Sequence, residues 1–338
     1  MRIRLHTSIL FLILFAGALA SIMIALTTGP ADISMLECFL IVFNRIKNIS
    51  TDINETAQTI ILSIRLPRVM LAFIVGAGLA CVGSVYQSIL SNPLADPYIL
   101  GTSSGAALGA SIAMIMGISN MLIVPTAAFT GSCIALILVY LLARTGNRLP
   151  MQTLLLAGVV VNAFLFALVM FILSYAGRDS GLILMWLLGS LSATEPRVTA
   201  ITFVFIFVSF ILLLRYSWHI NIISLGDDKA VQLGVNTEKL KKITLILTSL
   251  IVGASVSAAG LIGFVGLIIP HTMRFFTGPN QQKLLPASLL GGGILLVLCD
   301  TLARSLISPQ ELPVGVLTAL CGAPFFLYIL KTSRIKHG

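Results

Sequence analysis

The chain has 338 residues, of which 57% are hydrophobic and only 10% are charged, and its mean hydropathy is +1.04. This hydrophobic surface exceeds what one globular core can bury, so the composition excludes a water-soluble domain and leaves the lipid bilayer as the solvent. The formal net charge of +9 is typical of basic loops on the cytoplasmic face of a membrane, and we expect no nucleic-acid partner.

The apolar runs are continuous for about 20 residues, whereas the strands of an outer-membrane barrel alternate apolar and polar side chains. The sequence therefore predicts an all-α polytopic membrane protein with one transmembrane domain over residues 1–338. About two thirds of the 21 Lys and Arg residues fall in loops that this arrangement places inside, so both termini are predicted to be cytoplasmic. The ten predicted spans are about residues 8–26, 69–90, 99–116, 121–143, 151–175, 198–216, 243–259, 262–273, 284–303 and 314–330.

The first run contains Ala18-Leu19-Ala20, which resembles a signal-peptidase site. The run continues past this point and is long enough to span, so we interpret it as the first transmembrane helix. Residues 27–64 are the predicted first periplasmic segment. Within them, Ser34–Phe43 is predicted to be a short interfacial helix capped by Ser34.

Three glycines recur at every fourth residue in the third predicted span, at Gly101, Gly105 and Gly109. This spacing puts them on one face of a helix, where the lack of side chains lets another backbone approach closely. The pattern predicts close helix packing. The same flat face would allow helices to slide or tilt during a transport cycle.

A polar break, Ser91-Asn92-Pro93-Leu94-Ala95-Asp96-Pro97, separates the second and third predicted spans. Irregular backbone is tolerated at membrane depth only where it faces protein or a water-filled cavity. The segment is therefore either an ordinary cytoplasmic turn or a constriction at the inner end of a pathway, lined by Asn92 and Leu94.

The loop over residues 217–242 is the most polar part of the chain and is predicted to be cytoplasmic. Its segment Leu225–Asn236 has an acidic first turn, an apolar centre and a glycine near the end, which predicts a short capped helix. Ala230, Val231 and Leu233 are expected to be exposed, and they would suit docking into a groove on a soluble partner.

Asp300 and Arg304 are four residues apart near the outer end of the ninth predicted span, a spacing at which two helical side chains can meet. An unpaired charge at this depth is costly, so a structural ion pair is one interpretation. The other is that Arg304, like Arg65 and Arg68 near the outer end of the second span, presents its charge to something arriving from outside.

Several motifs of catalysis and ion coupling are absent from the sequence. It has no GxxxxGK[ST] phosphate loop, no HExxH or GxSxG motif, and no pair of carboxylates inside a span. The five cysteines show no metal or disulfide spacing, and His271 has no evident partner, so we expect no metal site and no chemistry there. These absences argue against two rival classes, an ion-coupled secondary transporter of a small solute and an intramembrane enzyme. Uphill transport would need energy from another chain.

Six motifs together resemble the FecCD-type permeases, the inner-membrane subunits of binding-protein-dependent ABC importers for iron–siderophore, haem and vitamin B12. They occur in order over nearly the whole chain. In this sequence they read RLPR (65–68), QSILSNPLADP (87–97), LGTSSGA (100–106), LLLAG (154–158), GFVGLIIPH (263–271) and ELPVG (311–315).

The resemblance implies a type II ABC importer fold with ten spans per subunit and a homodimer whose pathway lies at the dimer interface. Two cytoplasmic ATPase subunits would use ATP and Mg²⁺, and one periplasmic binding protein would deliver the substrate. The permease itself would be neither an enzyme nor the holder of a cofactor. The transported chelate, whether vitamin B12, haem or an iron–siderophore, is left open.

The resemblance also implies roles for individual residues. Those that match the basic docking residues for the binding protein are Arg65, Arg68 and Arg304. Those that match the two cytoplasmic gates are Asn92, Leu94, Gln152 and Thr153. Those in the segment that docks to the ATPase are Leu225, Gly226, Asp227, Asp228, Ala230, Leu233 and Gly234.

Overall fold

The computed structural model describes residues 7–29, 31, 33–47, 54–117, 122–146, 148–192, 195–307 and 310–334. These residues form helices joined by loops, and no strand occurs among them, which confirms the all-α fold class. In chain order the helices are α1 Thr7–Thr27, α2 Met35–Lys47, α3 Glu55–Thr59, α4 Leu66–Ile89, α5 Thr102–Ile115, α6 Ile123–Ala143, α7 Met151–Tyr175, α8 Ser180–Leu187, α9 Pro196–Arg215, α10 Ser217–Ile223, α11 Asp227–Gln232, α12 Thr237–Ala259, α13 Val265–Thr277, α14 Gln281–Ser305 and α15 Val314–Arg334.

Every predicted span overlaps a helix, but some of these helices are too short to cross a bilayer alone. Within the described ranges, seven helical stretches have the length and hydropathy of a span: α1, Glu55–Ile89, α6, α7, Pro196–Ile223, α12 and α14. By contrast, α5 has 14 residues and α13 has 13, so each rises only about 20 Å against a hydrocarbon core of about 30 Å. Helix length therefore does not establish ten complete crossings.

The second predicted span is part of a longer helix that begins at Glu55. A π-helical turn over Ile60–Arg65 joins α3 to α4. Pro67 follows this turn and has no N–H, so the regular ladder of hydrogen bonds is interrupted and its register shifts without breaking the helix. Arg65 and Arg68 consequently lie inside one continuous helical stretch of 35 residues.

Helix α4 lies at the centre of the bundle and is buried along most of its length by α9, α12, α13 and α14. Two of its glycines make this close packing possible. A Cβ atom at Gly76 would overlap the carbonyl oxygen of Gly292 in α14, and one at Gly83 would overlap the carbonyl oxygen of Gly266 in α13. Small residues at such crossings let the helix backbones touch within the membrane.

The predicted glycine face is only partly helical. Gly105 and Gly109 lie in α5 and contact the backbone of α6 at Gly131 and Ala127. Gly101 instead precedes α5, with a φ of +73° that favours glycine, and it lies against α7. The placement of Gly101 on the helical face is therefore corrected, because the chain must turn there before the helix can begin.

Helix α2 begins with a capping box formed by Ser34 and Glu37. The Ser34 hydroxyl oxygen accepts from the Glu37 N–H (3.2 Å), and Oε2 of Glu37 accepts from the Ser34 N–H (3.0 Å) and hydroxyl (2.9 Å). The predicted helix and its Ser34 cap are confirmed. The helix extends to Lys47, beyond the predicted end at Phe43.

The same bonds make the start of α2 sensitive to pH. The backbone N–H of Ser34, followed by its hydroxyl, lowers the pKa of Glu37 below its ordinary value. A carboxylate with a lowered pKa stabilises the fold above its ordinary pKa, and this contribution is lost as the pH falls through the lowered value. We therefore expect amide exchange in the first turn of α2, corrected for intrinsic rates, to accelerate as the pH falls through the lowered pKa of Glu37. Ser34→Ala should accelerate it at neutral pH; unchanged exchange would show that the cap contributes nothing.

Candidate functional site

Hydrogen bonds between distant residues show which helix termini share an end of the bundle. Gln281 at the start of α14 donates to Ser88 near the end of α4 (2.5 Å). The N–H of Leu149, just before α7, donates to Glu238 in the first turn of α12 (2.6 Å). This end, which also carries α10 and α11, is termed the coupling end. The opposite end, which holds Arg65, Arg68 and Arg304, is termed the arginine end.

Helices α10 and α11 form a cap at the coupling end. Ile223, Ala230 and Val235 are buried together with Leu240 of α12, and Ile89 at the end of α4 packs against them. The expectation that Ala230 faces a soluble partner is corrected, since Ala230 is fully buried. A helix of six residues is not stable alone in water, so α11 depends on this buried face.

The exposed surface of α11 and its flanking residues carries both polar and apolar side chains. Leu225, Val231 and Leu233 are 58%, 59% and 61% exposed, and together they are termed the coupling patch. Gly226 and Gly234 flank the helix with φ values of +106° and +79°, which allow the tight turns at its two ends. Exposed apolar side chains outside the long helices suit a groove on a soluble chain.

A buried lysine of α12 connects α11 to its neighbours. The Nζ atom of Lys241 lies 2.5 Å from Oδ2 of Asp227, the first residue of α11, and 3.3 Å from Oε1 of Glu238. Only 3% of Lys241 is exposed, so the two carboxylates stabilise an ammonium group that water scarcely reaches. Asp228, the other predicted acidic residue of α11, is exposed at the surface.

The same network reaches the start of α7. Lys241 also donates to the carbonyl oxygen of Leu149 (3.4 Å), whose N–H is held by Glu238 (2.6 Å). Leu149 is therefore held at both backbone groups by side chains one turn apart on α12. Gln152 and Thr153, the residues predicted for a second gate, lie in the first turn of α7 just beyond this point.

The polar break has two parts, and the first lies at the coupling end. Ser91 has a φ of +47° and turns the chain sharply after α4. Oδ1 of Asn92 accepts from the N–H of Leu94 (2.9 Å), and the Leu94 side chain is exposed. This is a tight Asx turn, at the same end of the bundle as Gln152 and Thr153.

The second part of the break re-enters the bundle. The Tyr98 hydroxyl donates to the carbonyl oxygen of Ile262 (2.9 Å) and accepts from the N–H of the same residue (3.0 Å), in the loop before α13. Pro97 and the carbonyl of Leu79, near the middle of α4, both contact Gly266. Irregular backbone thus lies inside the bundle, level with the middle of α4, and is packed against protein. Helix α5 starts from this level and has only 14 residues.

At the arginine end, two guanidinium groups hold α1. Arg65 donates from Nη1 to the carbonyl oxygens of Leu26 (2.7 Å) and Thr27 (3.2 Å). Arg304 donates from Nη2 to the carbonyl oxygen of Ala25 (2.9 Å). Carbonyls in the last turn of a helix have no intrahelical donor, so the two arginines cap the C-terminus of α1.

Arg68 is held by two carboxylates from distant parts of the chain. Its Nε and Nη2 atoms bond to Asp300 at 2.9–3.1 Å, and Nη1 bonds to both oxygens of Glu311 at 2.8 and 3.0 Å. Nε of Arg304 lies 3.4 Å from Oδ2 of Asp300, which confirms the predicted ion pair between residues four apart. Asp300 is buried, whereas the Glu311 side chain is 43% exposed.

The three arginines do not present free charges. Arg65, Arg68 and Arg304 are 4%, 8% and 7% exposed, so the interpretation that they offer exposed charge to an arriving partner is corrected for this conformation. The physical reason is that the end of α1 and the buried carboxylate of Asp300 provide acceptors that need these donors. Glu311 is the exposed charged group of the cluster.

Some residues of these networks were not predicted from the sequence. Glu238 and Lys241 have a spacing of three residues that permits contact on a helix, and this was the available signal. Tyr98 has no such local signal. His271 packs against Phe275 and Phe326, and no group of three or more His, Cys, Asp or Glu side chains that could hold a metal ion occurs in the described part of the chain.

Comparison with known proteins places this arrangement in a family. Residues 15–332 match the FecCD transport family. The chain is 42% identical over 282 residues to the cobalamin import system permease protein BtuC of Halobacterium salinarum, covering 83% of this chain and 76% of that protein. It is 38% identical over 328 residues to the hemin transport system permease protein HmuU of Yersinia pestis, covering 95% and 96%.

The fold agrees with these matches. A solved transporter assigned to the metal-chelate ABC type, in an inward-facing conformation, is similar with a TM-score of 0.83 and 31% sequence identity, covering 96% of this chain and 99% of that one. The family match spans most of the sequence, which confirms the resemblance seen in the motifs. The chain therefore belongs to the FecCD transport family, as a pore-forming permease subunit of an ABC importer and not an enzyme.

Proposed function

We propose that this permease carries a metal chelate inward across the inner membrane, as a homodimer driven by ATP hydrolysis in two separate ATPase subunits. The observation that carries the proposal is the coupling patch, Leu225, Val231 and Leu233, which lies in and beside α11 and outside the long membrane helices. Exposed apolar side chains grouped in one polar segment are typical of a surface that binds a protein partner. Lys241 and Ala230 hold the same helix to the bundle, so a partner that moves α11 would move membrane helices.

The two ends of the bundle are proposed to face different partners. The coupling end lies in the cytoplasm, together with both termini, and there the ATPase subunits bind and use ATP and Mg²⁺. The arginine end lies outside, and there a substrate-binding protein docks. Asn92 and Leu94 of the break, with Gln152 and Thr153 of α7, form the inner gates at the coupling end.

Docking at the arginine end would use the ion-pair cluster indirectly. A carboxylate of the binding protein would reach Arg68 by displacing the exposed side chain of Glu311. Arg65 and Arg304 would contribute by holding α1 in position. Because exposed charge pairs are screened by salt, docking should weaken as the ionic strength rises.

The substrate class follows from the relatives. Their names specify cobalamin and hemin, which are both metal complexes of a tetrapyrrole, and the similar solved structure is of the metal-chelate type. We therefore propose a metal chelate. Uptake by proteoliposomes that contain the complex, with cobalamin, haem and ferric siderophores tested in turn, would identify it.

Copurification tests the partner at the coupling end. We expect an ABC ATPase to copurify with the wild type and Leu233→Glu to reduce its recovery about tenfold or more, because a charge would be buried at the apolar contact. Gln232→Glu adds the same charge to the neighbouring exposed position without removing an apolar side chain, and it serves as the control. Uptake that follows an ion gradient, with no ATPase recovered from the wild type, would favour a secondary transporter instead.

A further inference from the structure

Movement of the coupling patch must reach the gates if ATP hydrolysis is to drive transport, and one network of charged side chains joins the two regions. We propose that Lys241 is a positioning residue that transmits displacement of α11 to the start of α7. The inference rests on the proposed function and adds the side chain through which the coupling acts.

The contacts of Lys241 come from three separate elements. Its ammonium group bonds to Asp227 of α11 (2.5 Å), to Glu238 of its own helix α12 (3.3 Å) and to the carbonyl oxygen of Leu149 before α7 (3.4 Å). A lysine ammonium has three N–H donors, so these acceptors use all of them. A shift of Asp227 therefore changes the position of a group that also holds Leu149.

Leu149 is placed to pass the displacement on. Its N–H bonds to Glu238 (2.6 Å), its carbonyl accepts from Lys241, and its side chain is buried in the core. Pro150 follows with a φ of −64°, and α7 begins at the next residue. Since proline cannot rotate about φ, a shift of Leu149 is passed to the first turn of α7 rather than absorbed in the loop.

The apolar packing of α11 leads to other helices than α7. Ala230 is buried in a cluster with Ile223 of α10 and Leu240 of α12, and no residue of α7 belongs to that cluster. Hydrogen bonds between charged groups are shorter and directional, so they define a position. Half of the Asp227 side chain is exposed, at the surface where the coupling patch would meet the ATPase, whereas Lys241 is buried.

Hydrogen–deuterium exchange of the permease with its copurifying ATPase, in nanodiscs, tests this relay. In the wild type, ATP with vanadate should change exchange both in α11 and in residues 149–156. In Lys241→Met the response in α11 should persist and the response in residues 149–156 should be lost. Lys241→Arg keeps the charge and N–H donors, so it should retain more of the response in residues 149–156 than Lys241→Met does.

Lys239→Met is the matched control, since it removes the same charge from an exposed position two residues earlier on α12. It should respond like the wild type. An undiminished response of residues 149–156 in Lys241→Met would overturn the proposal. Should Lys241→Met fail to assemble, Asp227→Ala removes only the acceptor on α11 and leaves Lys241 with Glu238 and Leu149. The same loss is expected in Asp227→Ala, and a wild-type response there would equally overturn the relay.

The exchange measurement requires no transported substrate, so failure of the Lys241 relay can be distinguished from failure of the proposed transport function. A wild type without a copurifying ATPase would overturn both. A wild type that takes up a chelate in an ATP-dependent manner, beside a Lys241→Met variant with a normal response in residues 149–156, would overturn the relay alone.

Discussion

Replacing Arg68 with methionine is expected to lower the free energy of unfolding of the permease by about 3–5 kcal/mol, the cost of removing one partner from a buried ion pair. Arg68 supplies three hydrogen bonds to Asp300, a residue with 1% of its surface exposed. Without Arg68 the carboxylate would keep only the ion pair with Arg304 at 3.4 Å. Thermal and chemical unfolding in detergent would measure the change.

Two further variants separate this effect from a general loss of charge. Arg45→Met removes an exposed arginine from α2 and should change stability by less than about 0.5 kcal/mol. Adding Asp300→Leu to Arg68→Met removes the buried carboxylate that has lost its three hydrogen bonds from Arg68, and it should recover part of the loss. An Arg68→Met protein as stable as the wild type would mean that the cluster is not structural, and that Arg68 is free to serve docking alone.

Replacing Gly83 with alanine is expected to cost about 3 kcal/mol, the upper part of the range for overpacking. The new Cβ atom would overlap the carbonyl oxygen of Gly266, which is backbone and cannot rotate away, so α4 and α13 would have to separate. Alanine is the better helix former by about 1 kcal/mol, but this gain is smaller than the expected cost. Pro97 contacts Gly266, so the irregular segment around Pro97 and Tyr98 would be displaced as well.

Gly181→Ala is the matched control, since Gly181 is also helical and an added Cβ there would meet no atom within 4 Å. It should leave the protein as stable as the wild type or slightly more stable. Unfolding of both variants in detergent gives the comparison. Equal stability of Gly83→Ala and Gly181→Ala would show that the α4–α13 crossing tolerates a side chain.

Positions of helices were largely predictable from the sequence. Helix α7 has the predicted bounds, Met151–Tyr175, and the Ser34 cap of α2 lies where it was expected. Both are local properties: hydropathy is summed over neighbouring residues, and a capping box needs only residues three apart. The π-helical turn before Pro67 was not predicted, so the start of that helix was placed too late.

Contacts of the site were less predictable because they join residues far apart in the chain. Arg68 and Asp300 are separated by 232 residues, and Arg65 bonds to carbonyls 38 and 39 residues earlier. The sequence placed these arginines at the outer ends of their helices. Sequence position alone does not specify whether an arginine at a helix end donates its hydrogen bonds to water or to a buried acceptor.

By itself, the sequence determined the membrane class, the approximate helix positions, the short polar helix α11 and the resemblance to the FecCD-type permeases. These follow from the solvent preference of each residue and from motifs read along the chain. Only the tertiary structure decided that Ala230 faces inward, that the arginines cap α1 and pair with Asp300, and that Lys241 connects α11 to Leu149. The reason is that burial and charge pairing depend on which distant helices pack together, and hydropathy does not specify that arrangement.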